Sequence, residues 1–336
     1  MRCRDKPSNA TQRNARRRGA TQAKRCDAGD GRTEQRRARR GEQTQASKAK
    51  AAQGRATWRS ALPVVRHPLT VAAAFRPPCA RVRAVGYDAG WFNSTRAASM
   101  PASSILLEVI ATTIGDAKAA ARAGADRLEL VTAISEGGLT PSVGVIEAVV
   151  AAVPIPVNVI VRPHSRSFHY DANELAAIAR DVRAAVAAGA NGVVFGMLDA
   201  HGDVDLAALQ RVADAADGRD LTFHRAFDVA RDLNTALDTL LRVPSVTSVL
   251  TSGGHASVLD ARDVVARMVR RAEGSTCAVL AGAGLTVDAV GDFVRATGVR
   301  AVHFGSGVRE RGEVLAPIDE RLVAKARATL DAAARG

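Results

Sequence analysis

The chain has 336 residues, 47% of them hydrophobic, and a formal net charge of +13. So basic a balance points to a nucleic-acid binder, but the charge is unevenly spread: residues 1–99 hold 23 Lys and Arg against 6 Asp and Glu, and residues 100–336 hold 24 against 28. The larger part is therefore mildly acidic, and no run reaches the roughly 20 apolar residues of a membrane span.

Residues 1–99 open MRCRDKPSNATQRNARRRG and carry the clusters Arg16-Arg17-Arg18 and Arg36-Arg37. Few apolar residues and no periodicity of 2 or 3.6 give this stretch the signature of disorder. From Ala61 to Trp91 the text turns more apolar, but Pro63, Pro68, Pro77 and Pro78 break it up. Its apolar part also comes too late for a secretory signal. Three readings are open: a basic tail that touches nucleic acid or acidic surfaces, an Arg-rich transit peptide, or an extension created by a start assigned too early. The last is favoured, because Met100 stands directly before PASSILLEVIA, where patterned sequence begins. Nucleic acid is expected as a partner only through this extension, with binding that falls steeply with salt. The four cysteines, Cys3, Cys26, Cys79 and Cys277, form no CxxC pair and no disulfide framework. That fits a reducing, cytoplasmic setting.

From residue 104 onward, short apolar β-branched runs alternate with Ala-rich amphipathic stretches. The predicted strands are 105–111, 126–131, 156–163, 192–198, 221–227, 248–253, 278–284 and 301–307. A helical pattern follows each, and helices stop at glycines such as Gly124, Gly189 and Gly298. Strand–helix alternation means parallel strands with right-handed crossovers. Eight such units in about 230 residues predict a (β/α)₈ barrel over 104–336. A doubly wound open sheet is the second choice, and it usually carries a GxGxxG loop after strand one, where this chain reads ATTIGDA.

Barrel strands alternate between the interior and the helix-facing side. That parity places Glu108, Glu129, Asn158, Arg162, His224 and His303 inside. The fifth strand, TFHRAFD, raises the question of why a buried strand carries His224, Arg225 and Asp228. His224 is expected to point inward, with Arg225 curling over the mouth. Isolated buried charges are costly, so partners are expected on strands one, two, three and eight. The interior groups can equally be a structural network, but barrels usually fill their interiors with branched apolar side chains. The candidate acid–base and anchoring residues are thus Glu108, Glu129, Arg162, His224, Arg225 and His303.

Three consecutive strand ends are glycine-rich: TSGG, AGAG and FGSG. Glycine lets amides approach an anion, and barrels often hold phosphate after strands seven and eight. The candidate anion-binding set is Ser252, Gly253, Gly254, Gly282, Gly284, Gly305, Ser306 and Gly307; tight turns alone would explain the same glycines. The loop RPHSRSFHYD after strand three is long enough to cover the mouth. Its His164 and His169 are expected at the surface rather than on a metal.

Taken together, DRLELVTAISEGGLTPS, PVNVIVRP, GVVFGML, TFHRAFD, VLTSGG and GVRAVHFGSG resemble the CutC family, over about residues 105–310. The resemblance implies a cytoplasmic (β/α)₈ barrel, a homodimer, and a role in copper homeostasis with copper as a ligand. Two departures matter. Val131 stands where the family commonly has cysteine, and His164-Ser165-Arg166-Ser167 replaces a Gly-rich turn with an acidic residue. Cu(I) prefers soft ligands, and the predicted barrel offers only Cys277, Met197 and Met268, on different elements. Cys277, His224 and His303 are the metal candidates. The alternative is an enzyme of lyase, isomerase or aldolase type acting on a small phosphorylated or anionic substrate.

Overall fold

The computed structural model describes residues 104–335, so the 1–99 extension lies outside the described residues. Eight parallel strands close on themselves in the order β1-β2-β3-β4-β5-β6-β7-β8. They are β1 (Leu106–Ala111), β2 (Arg127–Leu130), β3 (Val157–Ile160), β4 (Gly192–Phe195), β5 (Asp220–Phe223), β6 (Val246–Thr251), β7 (Ala278–Gly282) and β8 (Ala301–Phe304). Between and after them run α1 (Ile114–Arg122), α2 (Val143–Ala152), α3 (Ala172–Ala187), α4 (Leu206–Ala215), α5 (Leu233–Leu241), α6 (Arg262–Arg271), α7 (Val290–Thr297) and α8 (Glu320–Arg335). This is the (β/α)₈ barrel the alternation predicts. Among the described residues no helix is long and apolar enough to cross a membrane.

The helices begin where the sequence says they should. Thr113, Ser142, Asp171, Asp205 and Asp232 cap α1 to α5, each side chain accepting from an amide of the first turn. Asp171 and Glu174 complete a reciprocal capping box. The main core lies between strands and helices. Phe195, Phe223, Phe293 and Phe304 are fully buried there, packed with β-branched residues of alternating parity. The other parity faces the barrel axis. Two small apolar clusters lie on it: Val131, Ile160 and Val194 on one side, Leu250, Leu280 and Ala301 on the other. Leu106 and Ile110 pack against these clusters, and most other inward positions are polar or glycine.

Strand ends differ most from expectation. The fifth strand was predicted through 227, but β5 stops at Phe223. The reason is His224 itself. Its Nδ1 accepts from the Ala226 amide and caps a short 3₁₀ turn, Arg225–Val229. A side chain that satisfies the backbone locally competes with ladder pairing. On β3, Arg162 is pulled out of the ladder by donating its amide to Thr140 Oγ1. Arg162 and His224 therefore sit just past the strand ends, where the loops of a barrel's C-terminal face begin.

Candidate active site

Four ionisable side chains form the floor of the site. Register sets Glu108 beside His303 across β1 and β8, and beside Arg127 across β1 and β2. His303 Nδ1 lies 2.8 Å from Glu108 Oε1, and Arg127 Nε donates to Glu108 Oε2 at 2.5 Å. Glu129 follows Arg127 at the next inward position; its Oε2 lies 3.6 Å from His303 Nε2, beyond hydrogen-bond distance. All four are buried.

Their surroundings drive the two carboxyls apart. Burial works against the Glu108 charge, but Arg127 and the His303 hydrogen bond outweigh it and hold Glu108 down at about 2. Burial dominates at Glu129, with Glu108 adding to it against His303 and Arg127, and lifts it to about 7. Burial disfavours the His303 cation, yet the Glu108 hydrogen bond and both carboxylates leave its affinity for a proton raised. Two carboxyls held in such different states are how one site separates a fixed charge from a group that exchanges protons near neutrality. Glu108 is the fixed charge that positions His303, and Glu129 is the exchanging group.

Above the floor opens a cavity of ≈ 440 Å³ at the C-terminal mouth, whose wall includes Glu129, His303, Arg162, His224 and Arg225. Gly196 makes room for His224: a Cβ there would lie 2.5 Å from His224 Nδ1. Gly282 does the same for His303. Burial, with the nearby Arg162 charge, pushes His224 down to about 3. The ring is neutral, and because Nδ1 accepts from Ala226, Nε2 carries the proton. That Nε2 has no partner. The Arg162 guanidinium donates to the carbonyls of Glu136, Gly138 and Ser165, and its Nε is unpartnered. The Phe168 ring, from the long loop after β3, lies 4.8 Å from the Arg162 guanidinium carbon and 5.0 Å from the His224 ring centre. That loop does reach over the mouth. Of its histidines, His169 is exposed as expected and bonds the Leu198 carbonyl, while His164 is half-buried against Glu174.

Several expectations need correction. Arg225 and Asp228 do not join a network with strands one, two, three and eight. They pair with each other at 2.8 Å and bind the end of β6. Asp228 accepts from the amides of Ser252 and Gly254 and from the hydroxyls of Thr251 and Ser252. The Gly253 amide donates to Thr251 Oγ1. Ser252 and Gly254 thus form an anion cradle already filled by the chain's own carboxylate, and the Gly253 amide is taken up by Thr251. Gly284 and Gly307 are small because Ser257 and the Leu285 carbonyl press on them, at 2.5 and 2.2 Å from a would-be Cβ. Together with Gly305 and Ser306 they still line the cavity, whereas Gly282 does not. Asn158 lies away from the cavity wall, accepting from Asn191. The sequence reading missed Arg127, although it shares a strand face with Glu129, two residues away.

Copper does not fit these residues. Among the described residues no three of His, Cys, Asp and Glu converge as a metal set. Cys277 is buried just before β7, at the barrel end opposite the cavity, and burial pushes its thiol up to about 12. Met197 and Met268 are in the hydrophobic core. Val131, standing where the resemblance sets cysteine, is on the cavity wall.

Comparison with known proteins agrees with the sequence resemblance. The model of the CutC family matches residues 105–308. A family protein CutC of Caulobacter vibrioides is 41% identical over 208 residues, covering 62% of this chain and 84% of that protein. One from Aliivibrio fischeri is 39% identical over 202 residues, covering 60% and 81%. Among solved structures, one from Streptococcus agalactiae, described as a candidate copper homeostasis protein CutC, superposes with a TM-score of 0.56 at 28% identity. It covers 59% of this chain and 97% of that one.

Proposed function

Because the chain belongs to the CutC family, we propose that it serves copper homeostasis, and that it does so as an acid–base barrel acting on a small anionic molecule rather than by holding copper among its barrel residues. The same reading makes it a cytoplasmic homodimer. One observation carries the anionic ligand. The buried interior groups around the cavity hold two guanidiniums, Arg127 and Arg162, and the His303 ring, whose affinity for a proton is raised, against two carboxyls, Glu108 and Glu129. Of these, Arg162 has no carboxylate partner at all. A buried guanidinium is normally paired, and an incoming phosphate or carboxylate would pair it. Glu129 would move protons, His224 would donate a neutral hydrogen bond, and Phe168 would shield both from water.

Direct copper binding is the second reading, supported by the family's association and opposed by the scattered soft ligands. Calorimetric titration with inorganic phosphate separates the two. The expected result is binding at the cavity that weakens at least tenfold in Arg162→Met. Equal affinity in wild type and variant, or no binding in either, would overturn the anionic reading.

A further inference from the structure

The cavity has two chemically unlike walls. Glu129 projects from β2, close to His303 but not hydrogen-bonded to it. His224 projects from the end of β5, three strands farther round the closed barrel. Its tautomer is fixed by the Ala226 amide, which leaves a proton on an unpartnered Nε2. Gly196 behind it and Phe168 beside it hold the ring in place. A proton acceptor, a neutral proton donor and the Arg162 guanidinium therefore all line the space a small molecule would fill.

Building on the anionic-ligand reading, we propose that the ligand is a small carbonyl compound bearing a phosphate or carboxylate, and that the site enolises it. A Glu129 oxygen takes the proton from the carbon next to the carbonyl. The C–H electron pair becomes the C=C bond, and the carbonyl π pair moves onto oxygen. That oxygen accepts the hydrogen bond from His224 Nε2, while Arg162 holds the anionic group. Return of the proton from Glu129 restores a carbonyl, so nothing is oxidised or reduced and no co-reactant is needed. A neutral imidazole suits this work, because its N–H polarises a carbonyl without giving up the proton outright. The His224 value of about 3 keeps it neutral throughout the range in which Glu129, at about 7, exchanges its proton.

The test uses planar mimics of an enolate, paired with anions that keep an anchoring phosphate or carboxylate but lack the second, planar oxyanion. The full chain is titrated calorimetrically at pH 8 with 2-phosphoglycolate against glycerol 3-phosphate, and with oxalate against acetate, in buffers of differing ionisation heat. In at least one pair the mimic should bind tenfold or more tightly, with uptake of close to one proton. The pair that responds identifies the anionic group. Glu129→Gln should lose the proton uptake, and His224→Asn should lose the preference for the mimic while still binding the partner anion. If glycerol 3-phosphate or acetate binds through Arg162 but neither mimic binds more tightly, enolisation is wrong and the anionic reading stands. If none of the four binds, both fall. Proton uptake that persists in Glu129→Gln would overturn the role of that carboxyl.

Discussion

Glu129 has a signature that can be read without knowing any ligand. Its carboxyl holds a proton up to about 7 in the folded chain against an ordinary 4.5. A group raised on folding contributes stability that is fully present below its unfolded value and is lost as pH rises through the folded one. Wild type should therefore lose stability between pH 4.5 and 7, by about 3 kcal/mol if the full shift is expressed. Glu129→Gln should remove that slope, which urea unfolding at a series of pH values would show; an unchanged slope would mean the proton sits elsewhere. His224 has the opposite sign. Its stability is present above 6.5 and is lost as pH falls toward about 3. Gly196→Ala places a methyl against the His224 ring and should cost about 1–3 kcal/mol, with loss of anion binding; wild-type stability in that variant would show that the ring moves freely. Much of this site was legible in the residues, since strand parity alone put Glu108, Glu129, Arg162, His224 and His303 inside. Parity did not reveal which carboxyl is pinned and which is free, because that depends on register. Only the pairing of β1 with both β2 and β8 shows that Arg127 and His303 converge on Glu108.

At the level of elements, TFHRAFD is not a strand with charges in it but a strand that ends and a turn that begins. A period-2 pattern continues through Phe227 in the sequence, so alternation gave no warning. The signal that was available is the histidine, whose Nδ1 can take an amide two residues on and close a turn. Asp228 then ties this turn to the end of β6 through four donor groups, two amides and two hydroxyls. Asp228→Ala should free the Ser252 and Gly254 amides, abolish their protection in hydrogen exchange, and destabilise the fold by about 1–3 kcal/mol, since the buried Ser252 amide is left unsatisfied while the exposed Gly254 amide turns to water. Undiminished protection would show that the loop is held by its glycine turns alone. The glycines misled in the same way. TSGG reads as an open anion site until the carboxylate that fills it is located 24 residues earlier in the chain.

For the whole molecule, the order of strands and helices was legible because each unit repeats one pattern, and the apolar set for the helix-facing side is large. Where copper stands is a question for the complete chain, since Cys3, Cys26 and Cys79 precede the described residues. In an anaerobic Cu(I) titration against a competing chelator, Cys277→Ser should bind as wild type does, because a thiol that keeps its proton up to about 12 is a poor ligand. Lost affinity in that variant would place copper at the start of β7 after all. The closed strand order has another outcome. Every strand of the barrel has a neighbour on both sides, so no row of free amides and carbonyls remains to recruit another chain by extending the sheet. If two copies assemble through the described residues, they meet through helix surfaces and loops, and the contact will be read in side chains rather than in backbone pairing.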